Sequence, residues 1–191
     1  MKTGRLEGFS DGVLAIIITI MVLELEIPED YSFKALRPML PKFLTYILSF
    51  IYLGIYWNNH HHLFQAAKQV SGNILWANLN LLFWLSLLPF ATGWMGENHF
   101  EANPTAMYGA VLLMAVWAFK VLVYCVVKDE GKESRLGKVY SRDKKLDISL
   151  LLYLIGIVLS FFQPIISLAI YLIVALIWIV PDPRIERNLK E

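Results

Sequence analysis

The chain has 191 residues, of which 57% are hydrophobic and 17% charged, and its formal net charge is +1. Soluble domains carry about 25% charged residues, so this composition argues against a soluble domain and indicates an integral membrane protein. The charge shows no basic excess of the kind that nucleic-acid partners require, and the single cysteine excludes an intrachain disulfide framework.

Six apolar stretches reach or approach the roughly 20 residues that a membrane-spanning helix needs. The predicted helices cover residues 6–27, 42–65, 72–95, 104–127, 146–162 and 164–180, and a charged loop covers residues 128–145. Pro28 ends the first helix, and Pro89 introduces a kink near the far end of the third. Pro38 and Pro41 argue against continuous helix before the second. The sequence therefore predicts one all-α membrane domain.

The distribution of Lys and Arg predicts the orientation of this domain. Six helices place both termini on one side, and 13 of the 17 Lys and Arg residues lie on that side, seven of them in the 128–145 loop. By the positive-inside rule both termini and this loop are cytoplasmic, in what we expect to be the plasma membrane. The other side carries Glu24 and Glu26, which form either an acidic mouth that attracts cations or ordinary loop charges.

Helix 1 has two faces with different chemistry. One face carries branched aliphatic residues at spacings of four, three and four: Ile16, Ile20, Leu23 and Ile27. Phe9 lies on nearly the same line, whereas Asp11 points about 140° away. This aliphatic ridge faces lipid, a neighbouring helix or a shared axis. It becomes a gate only if several copies of the chain face one another around a closed symmetry axis.

The start of helix 1 also carries Ser10 and Asp11, and an ionisable residue in a membrane segment indicates function by default. We predict a network that joins Ser10 and Asp11 to His61 or His62 on helix 2, because polar groups at membrane depth need partners. Its third member comes from the polar residues of helix 3: Asn73, Trp76 or Asn80. An ordinary helix N-cap at Ser10 and Asp11 is the alternative interpretation.

The run His60-His61-His62 does not predict a structural metal site. Adjacent helical residues point 100° apart, and neither HExxH nor a pair of carboxylates accompanies the run. No catalytic constellation, carbonyl selectivity filter or Arg ladder is present in the sequence, which argues against an enzyme, a filter-type channel and a voltage sensor. We expect no cofactor.

Three motifs together resemble a known family. They are Arg5-x-x-x-Phe9-Ser10-Asp11, Tyr56-Trp57-x-x-His60-His61-His62-x-Phe64, and Trp76-x-Asn78 with Pro89-Phe90. This set resembles the potassium channels called transmembrane protein 175, in their prokaryotic single-repeat form. The match covers about the first half of the chain, whereas helices 4–6 agree only in number and hydrophobicity.

The resemblance implies a symmetric homotetramer of six-helix subunits, with helix 1 of each subunit lining a central pore. It also implies potassium-selective, voltage-insensitive conduction without a carbonyl filter, with K⁺ as the permeating ion and membrane lipid as the surroundings. The hydrophobic constriction maps onto Ile16, Ile20 and Leu23, and a contributor to selectivity maps onto Thr19.

Two other classes of function stay open at this point. Asp11 and the helix 2 histidines suit a proton-coupled secondary transporter, because His titrates near neutral pH. A non-conducting membrane scaffold, or an enzyme with an unrecognised site, is the third hypothesis.

Overall fold

A computed structural model describes residues 3–28, 30–131, 133–140 and 144–179, and every regular element in these ranges is helical. The α-helices are α1 (Thr3–Leu23), α2 (Leu40–Ala66), α3 (Gly72–Ser86), α4 (Leu88–Glu97), α5 (Ala102–Glu130), α6 (Arg135–Tyr140), α7 (Lys145–Ser160) and α8 (Pro164–Ile179). A 3₁₀ helix, Phe33–Met39, precedes α2. The predicted all-α class agrees with these elements.

Four helical stretches in the described part of the chain are long and apolar enough to cross a membrane. They are Thr3–Leu23, Phe33–Ala66, Gly72–Glu97 and Ala102–Glu130, and α8 is apolar but shorter. The chain is therefore an integral membrane protein. Val180 and the flanking basic residues used for the orientation (Lys2, Arg184, Arg187 and Lys190) lie outside the described residues.

The first helix ends four residues before the expected boundary. Helix 1 was expected to reach Ile27, but α1 ends at Leu23 and residues 26–28 have no regular structure. Pro28 disfavours helical backbone in the residue before it, which contributes to this early end. Ile27 therefore does not extend the helical ridge formed by Ile16, Ile20 and Leu23.

The third predicted helix is divided at the proline. Residues 72–86 form α3, Leu87 adopts a turn, and α4 begins at Leu88 with Pro89 in its first turn. Pro89 has no N–H to donate back along the helix, and it is well tolerated in the first turn of a new one. The predicted kink lies at this break. Before α2, the 3₁₀ helix contains Pro38, and Pro41 lies in the first turn of α2.

The core is built around α5, which buries residues along its whole length, from Pro104 to Val126. It packs against α3, α4 and α7, while α8 packs on α7, α2 and α5. Helix α1 lies at the side of this bundle, against α2, α3 and α4. This position leaves one face of α1 uncovered by the rest of the chain. The loop expected over residues 128–145 contains α6.

Candidate ion pathway

Helix α1 buries one face and exposes the other. The buried residues lie at spacings of four, four, three and four: Leu6, Ser10, Leu14, Ile17 and Met21. The exposed residues are the aliphatic ridge (Ile16, Ile20 and Leu23) and Phe9, with exposed fractions of 59%, 43%, 81% and 54% in that order. The two sets point in different directions because of the 3.6-residue helical repeat. The ridge is therefore free to meet lipid or another copy of the chain.

Thr19 lies on the same exposed side of α1, about 60° around the helix from Ile16. Its hydroxyl donates a hydrogen bond to the carbonyl oxygen of Ile16 at 2.8 Å. Because the proton is used inside the helix, the free lone pairs of this oxygen are acceptors only. An oxygen acceptor one turn from Ile16 is chemically suited to a passing cation.

A buried hydrogen-bonded chain joins α1, α2 and α3 near the N-terminal end of α1. His60 Nε2 donates to Asn78 Oδ1 at 2.8 Å, and Asn78 Nδ2 donates to Ser10 Oγ at 3.0 Å. The Ser10 hydroxyl donates in turn to the Leu6 carbonyl at 2.9 Å. The three polar side chains are almost fully buried. Each hydrogen bond of this chain joins two uncharged groups. These bonds fix the three helices relative to one another.

A second set of contacts lies beside this chain at the more exposed edge of α1 and α2. Trp57 Nε1 donates to Asp11 Oδ1 at 3.0 Å, and the Trp57 ring stacks on His61. Glu7 Oε2 lies 3.6 Å from His61 Nδ1, and Gln65 Nε2 donates to His61 Nε2 at 2.8 Å. Asp11 is thus held by an indole N–H, and the acidic partner of His61 is Glu7.

The residues that form this network differ from those that the sequence predicted. We predicted that Ser10 and Asp11 contact His61 or His62 on α2. Instead, Ser10 bonds to Asn78 of α3, and Asp11 bonds to Trp57 of α2. The histidine that takes part in the buried chain is His60. His62 Nδ1 is buried without a hydrogen-bond partner in the described structure. Among the described residues, no group of three His, Cys, Asp or Glu side chains could hold a metal ion.

The predicted helix 3 members lie off the buried face of α3. That face carries Ile74, Ala77, Asn78, Leu81 and Leu85, among others. Asn73 and Trp76 are exposed, Trp76 by 75%, and Asn80 is partly buried. Arg5 is exposed at the start of α1, and it lines a groove of about 550 Å³ together with Phe9 and Trp76. None of these side chains contributes to the observed hydrogen-bonded chain.

One signal in the sequence could have found the correct members. Tyr52, Tyr56 and His60 follow one another at intervals of four on α2, and all three are buried. Asn78 similarly continues the buried stripe that begins at Ile74 on α3. A polar residue within an aromatic or aliphatic stripe is buried with that stripe, so it is the residue that needs an internal partner.

The two acidic residues of the expected mouth lie just beyond the C-terminal end of α1. Glu26 Oε2 lies 3.3 Å from Lys42 Nζ, which is also 3.3 Å from Glu97 Oε1. Glu24 lines a crevice of about 360 Å³ between α1, α2 and α4. Partial burial, and then the negative charge of Glu97, raise the pKa of the Glu24 carboxyl.

Lys120 of α5 pairs with Asp147 and so joins α5 to the start of α7.

Comparison with known proteins identifies the family. A family model described as the endosomal/lysosomal potassium channel TMEM175 matches residues 5–89. A potassium channel of Chryseobacterium sp. (strain P1-3) is 58% identical over 191 residues, which cover all of both chains. The chain belongs to the TMEM175 channel family. The resemblance of the three motifs is thereby confirmed, and the similarity extends over the whole chain rather than its first half.

Two further TMEM175 relatives are less similar in sequence to this chain. The crystal structure of a lysosomal potassium-selective channel TMEM175 homolog from Chamaesiphon minutus superposes with a TM-score of 0.79 at 26% identity. The superposition covers 93% of this chain and 96% of the other. The mouse endosomal/lysosomal proton channel TMEM175 is 32% identical over 91 residues, which are 45% of this chain and 18% of that protein. The α-helical fold of this TMEM175 member is thus shared with a solved channel.

Proposed function

We propose that this chain is a potassium-selective cation channel whose pore is lined by α1. The observation that carries this proposal is the exposed ridge of α1, which points away from the core of its own subunit. Family membership supports the channel class, and the relatives named potassium channels favour K⁺ as the permeating ion.

A ridge from one subunit cannot enclose a pathway, so the proposal requires several copies. Closed cyclic symmetry brings the same helix face of every copy to one axis. We propose four copies, each with six membrane helices: α1, α2, α3 with α4, α5, α7 and α8. Helices α7 and α8 have 16 residues each and are about 24 Å long. They are shorter than the roughly 30 Å hydrocarbon layer, so the bilayer thins around them or their flanking residues reach the interface.

Rings of Ile16, Ile20 and Leu23 would form the constriction. A narrow ring of branched aliphatic side chains expels water and so blocks ions, whereas a small widening lets water and ions enter. Thr19 would offer the only hydroxyl oxygen near this constriction on α1, and we propose it as the contributor to selectivity. The sequence has no Arg ladder, which supports conduction that does not depend on voltage.

The orientation is part of the same proposal. Both termini and the 128–145 segment are cytoplasmic and the protein lies in the plasma membrane, so the N-terminal end of α1 forms the inner end of the pathway. Glu24 and Glu26 then lie at the outer end, where negative charge raises the local concentration of cations.

Ion flux into liposomes that contain the purified protein tests the proposal. We expect K⁺ flux that exceeds Na⁺ flux, and we expect Ile16→Asn and Ile20→Asn to raise the total flux severalfold and reduce this preference. The matched controls are Ile173→Asn on α8 and Ile155→Asn on α7, because these isoleucines are similarly exposed but lie on other helices. Equal effects in the α1 variants and the controls would contradict pore lining by α1.

A second candidate is proton permeation or proton coupling. The contact between Glu7 and His61 favours it, as do the vertebrate relatives named proton channels. A pH gradient across the same liposomes distinguishes the two candidates. Saturable, proton-driven uptake that His61→Ala abolishes would favour a transporter, whereas rapid flux without saturation would favour the channel.

A further inference from the structure

Apolar packing ends abruptly near the C-terminal end of α1. Met21 is the last buried residue, at 2% exposure, and no residue from 22 to 28 is buried. Leu23 and Ile27 are 81% and 90% exposed. Hydrophobic burial within the chain therefore contributes little to the position of this end of the helix.

The contact present there is a cluster of ion pairs centred on Lys42. The Lys42 side chain is only 19% exposed, and its Nζ lies 3.3 Å from both Glu26 and Glu97. Glu26 belongs to the segment that follows α1, Lys42 to the first turn of α2, and Glu97 to the end of α4. One ammonium thus joins three parts of the chain, and Glu24 adds a third carboxylate to the same crevice.

Two glycines on α4 make this approach possible. A Cβ at Gly96 would lie 2.9 Å from the Cα of Lys42 and 2.7 Å from Thr45 Oγ1. A Cβ at Gly93 would lie 2.9 Å from Glu24 Oε2. Because real Cβ atoms essentially never approach backbone this closely, the missing side chain at Gly96 allows α2 to lie close to α4, while Gly93 leaves room for the Glu24 carboxylate. The ion-pair cluster thus occupies a place where the helices approach closely.

We propose that Lys42 is a positioning residue for conduction, which holds the C-terminal end of α1 and thereby sets the position of Leu23. This inference rests on the proposed function for its effect on ion flow. Leu23 lies three residues before Glu26, so movement of Glu26 moves the last ring of the ridge. Without Lys42, Glu26 and Glu97 lose their shared cation while Glu97 still repels Glu24, and this repulsion pushes the end of α1 away from α4.

The same cluster makes the position of α1 sensitive to pH on the Glu24 side of the membrane. Among the described residues, the ionisable groups in the crevice with Glu24 are Glu97 from α4 and Lys42 and Tyr46 from α2, and Glu26 reaches the same Lys42 from its own segment. A proton on Glu24 removes its repulsion with Glu97 and so changes the balance of charge around Lys42. Because its pKa is raised, Glu24 takes up a proton earlier than an ordinary Glu as the pH falls. Conduction should change over that pH range.

Hydrogen exchange tests the anchoring without any need for ion flow. The amides of Glu24 and Leu25 bond to the carbonyls of Ile20 and Val22, so their exchange reports opening of the last turn. We expect exchange about two- to fivefold faster in Lys42→Met than in the wild type, and near-normal exchange in Lys42→Arg. Lys34→Met is the matched control, because it removes an exposed Lys from the neighbouring 3₁₀ helix.

Unchanged exchange in Lys42→Met, or an equal increase in Lys34→Met, would overturn the proposal. If Lys42→Met does not fold, Glu26→Gln removes only the pair to the α1 segment and is expected to speed exchange at the same two amides. Unchanged exchange in Glu26→Gln would then overturn the proposal.

Flux measurements separate anchoring from the proposed function. We expect K⁺ flux through the wild type to change as the external pH falls from neutral into the acid range, and this change to be at least halved in Lys42→Met and kept in Lys42→Arg. An unaltered pH profile in Lys42→Met overturns the role in conduction. A wild type that carries no K⁺ refutes the proposed function, and the exchange result then decides the anchoring role alone.

Discussion

The two ends of α1 are joined to the rest of the chain by different kinds of contact. At the N-terminal end, the chain from His60 through Asn78 to Ser10 is neutral and buried. At the C-terminal end, Lys42 pairs with Glu26 and Glu97, and both carboxylate side chains are mostly exposed. Buried neutral hydrogen bonds are hardly affected by salt, whereas exposed ion pairs are weak and screened. The comparison teaches that the helix has one fixed end and one adjustable end.

The largest expected effect comes from Asn78→Ala, because Asn78 bonds to both other helices of the buried chain. This substitution leaves His60 and Ser10 without their partner, and we expect it to lower stability by about 1–3 kcal/mol. Thermal unfolding of the detergent-solubilised protein, followed by size-exclusion chromatography, measures the loss. Asn73→Ala is the control on the exposed face of α3 and should change little; equal losses in both variants would refute a fixed end.

Gly96→Ala should have the next largest effect, at the adjustable end. Its Cβ meets the backbone of Lys42, so α2 and α4 must separate, at a cost of about 1–2 kcal/mol. Gly54→Ala on α2 is the control, because a Cβ there meets nothing within 4 Å. Alanine is the better helix former, so this control should be neutral or stabilising by up to about 1 kcal/mol. The same unfolding assay measures whether Gly96→Ala lowers the stability while Gly54→Ala does not.

Trp57→Phe probes the contact between α1 and α2 that lies beside the buried chain. Phe keeps an aromatic ring but loses the N–H that bonds to Asp11. We expect a loss of about 0.5–1.5 kcal/mol, smaller than for Asn78→Ala because only one bond is removed and Asp11 is exposed. If the loss equals or exceeds that of Asn78→Ala in the same assay, the buried chain is not the principal anchor.

Glu24→Gln should have the smallest effect and should depend on pH. A carboxyl whose pKa is raised in the folded state favours folding while it is protonated, and this contribution is lost as the pH rises through its folded pKa. At pH 7 the charge of Glu24 is unfavourable, so Glu24→Gln should stabilise the protein by a few tenths of a kcal/mol. The unfolding temperature should rise slightly as a result. The gain should vanish at a pH well below 4.5, the ordinary pKa of Glu, where the carboxyl is protonated in both states; a gain that does not depend on pH would contradict the linkage.

The sequence predicted the exposed ridge correctly as a helical stripe, because Ile16, Ile20 and Leu23 follow the helical period and need no partner to do so. The partners of Ser10 and Asp11 were not predicted correctly. Several polar residues on α2 and α3 were chemically suitable, and spacing within one helix does not reveal how that helix is rotated about its axis in the bundle. Packing against α5 rotates α3 so that Asn78 faces inward and Asn73 does not.

The acidic residues that follow α1 show the same limit. Glu24 and Glu26 were visible as charges near a helix end, but their shared cation comes from Lys42 and their close packing from two glycines about 70 residues away. Such approaches depend on distances between helices, and no local pattern in the sequence encodes them.

The sequence by itself determined that the chain is helical, is an integral membrane protein and carries an aliphatic ridge on its first helix. Hydrophobic length, helical period and proline placement are local properties, and the chain shows them before it folds. Only the tertiary structure decided which polar side chains pair and which end of α1 is held by charge. Those outcomes depend on the rotation and spacing of packed helices, which arise when every helix buries its own apolar face at once.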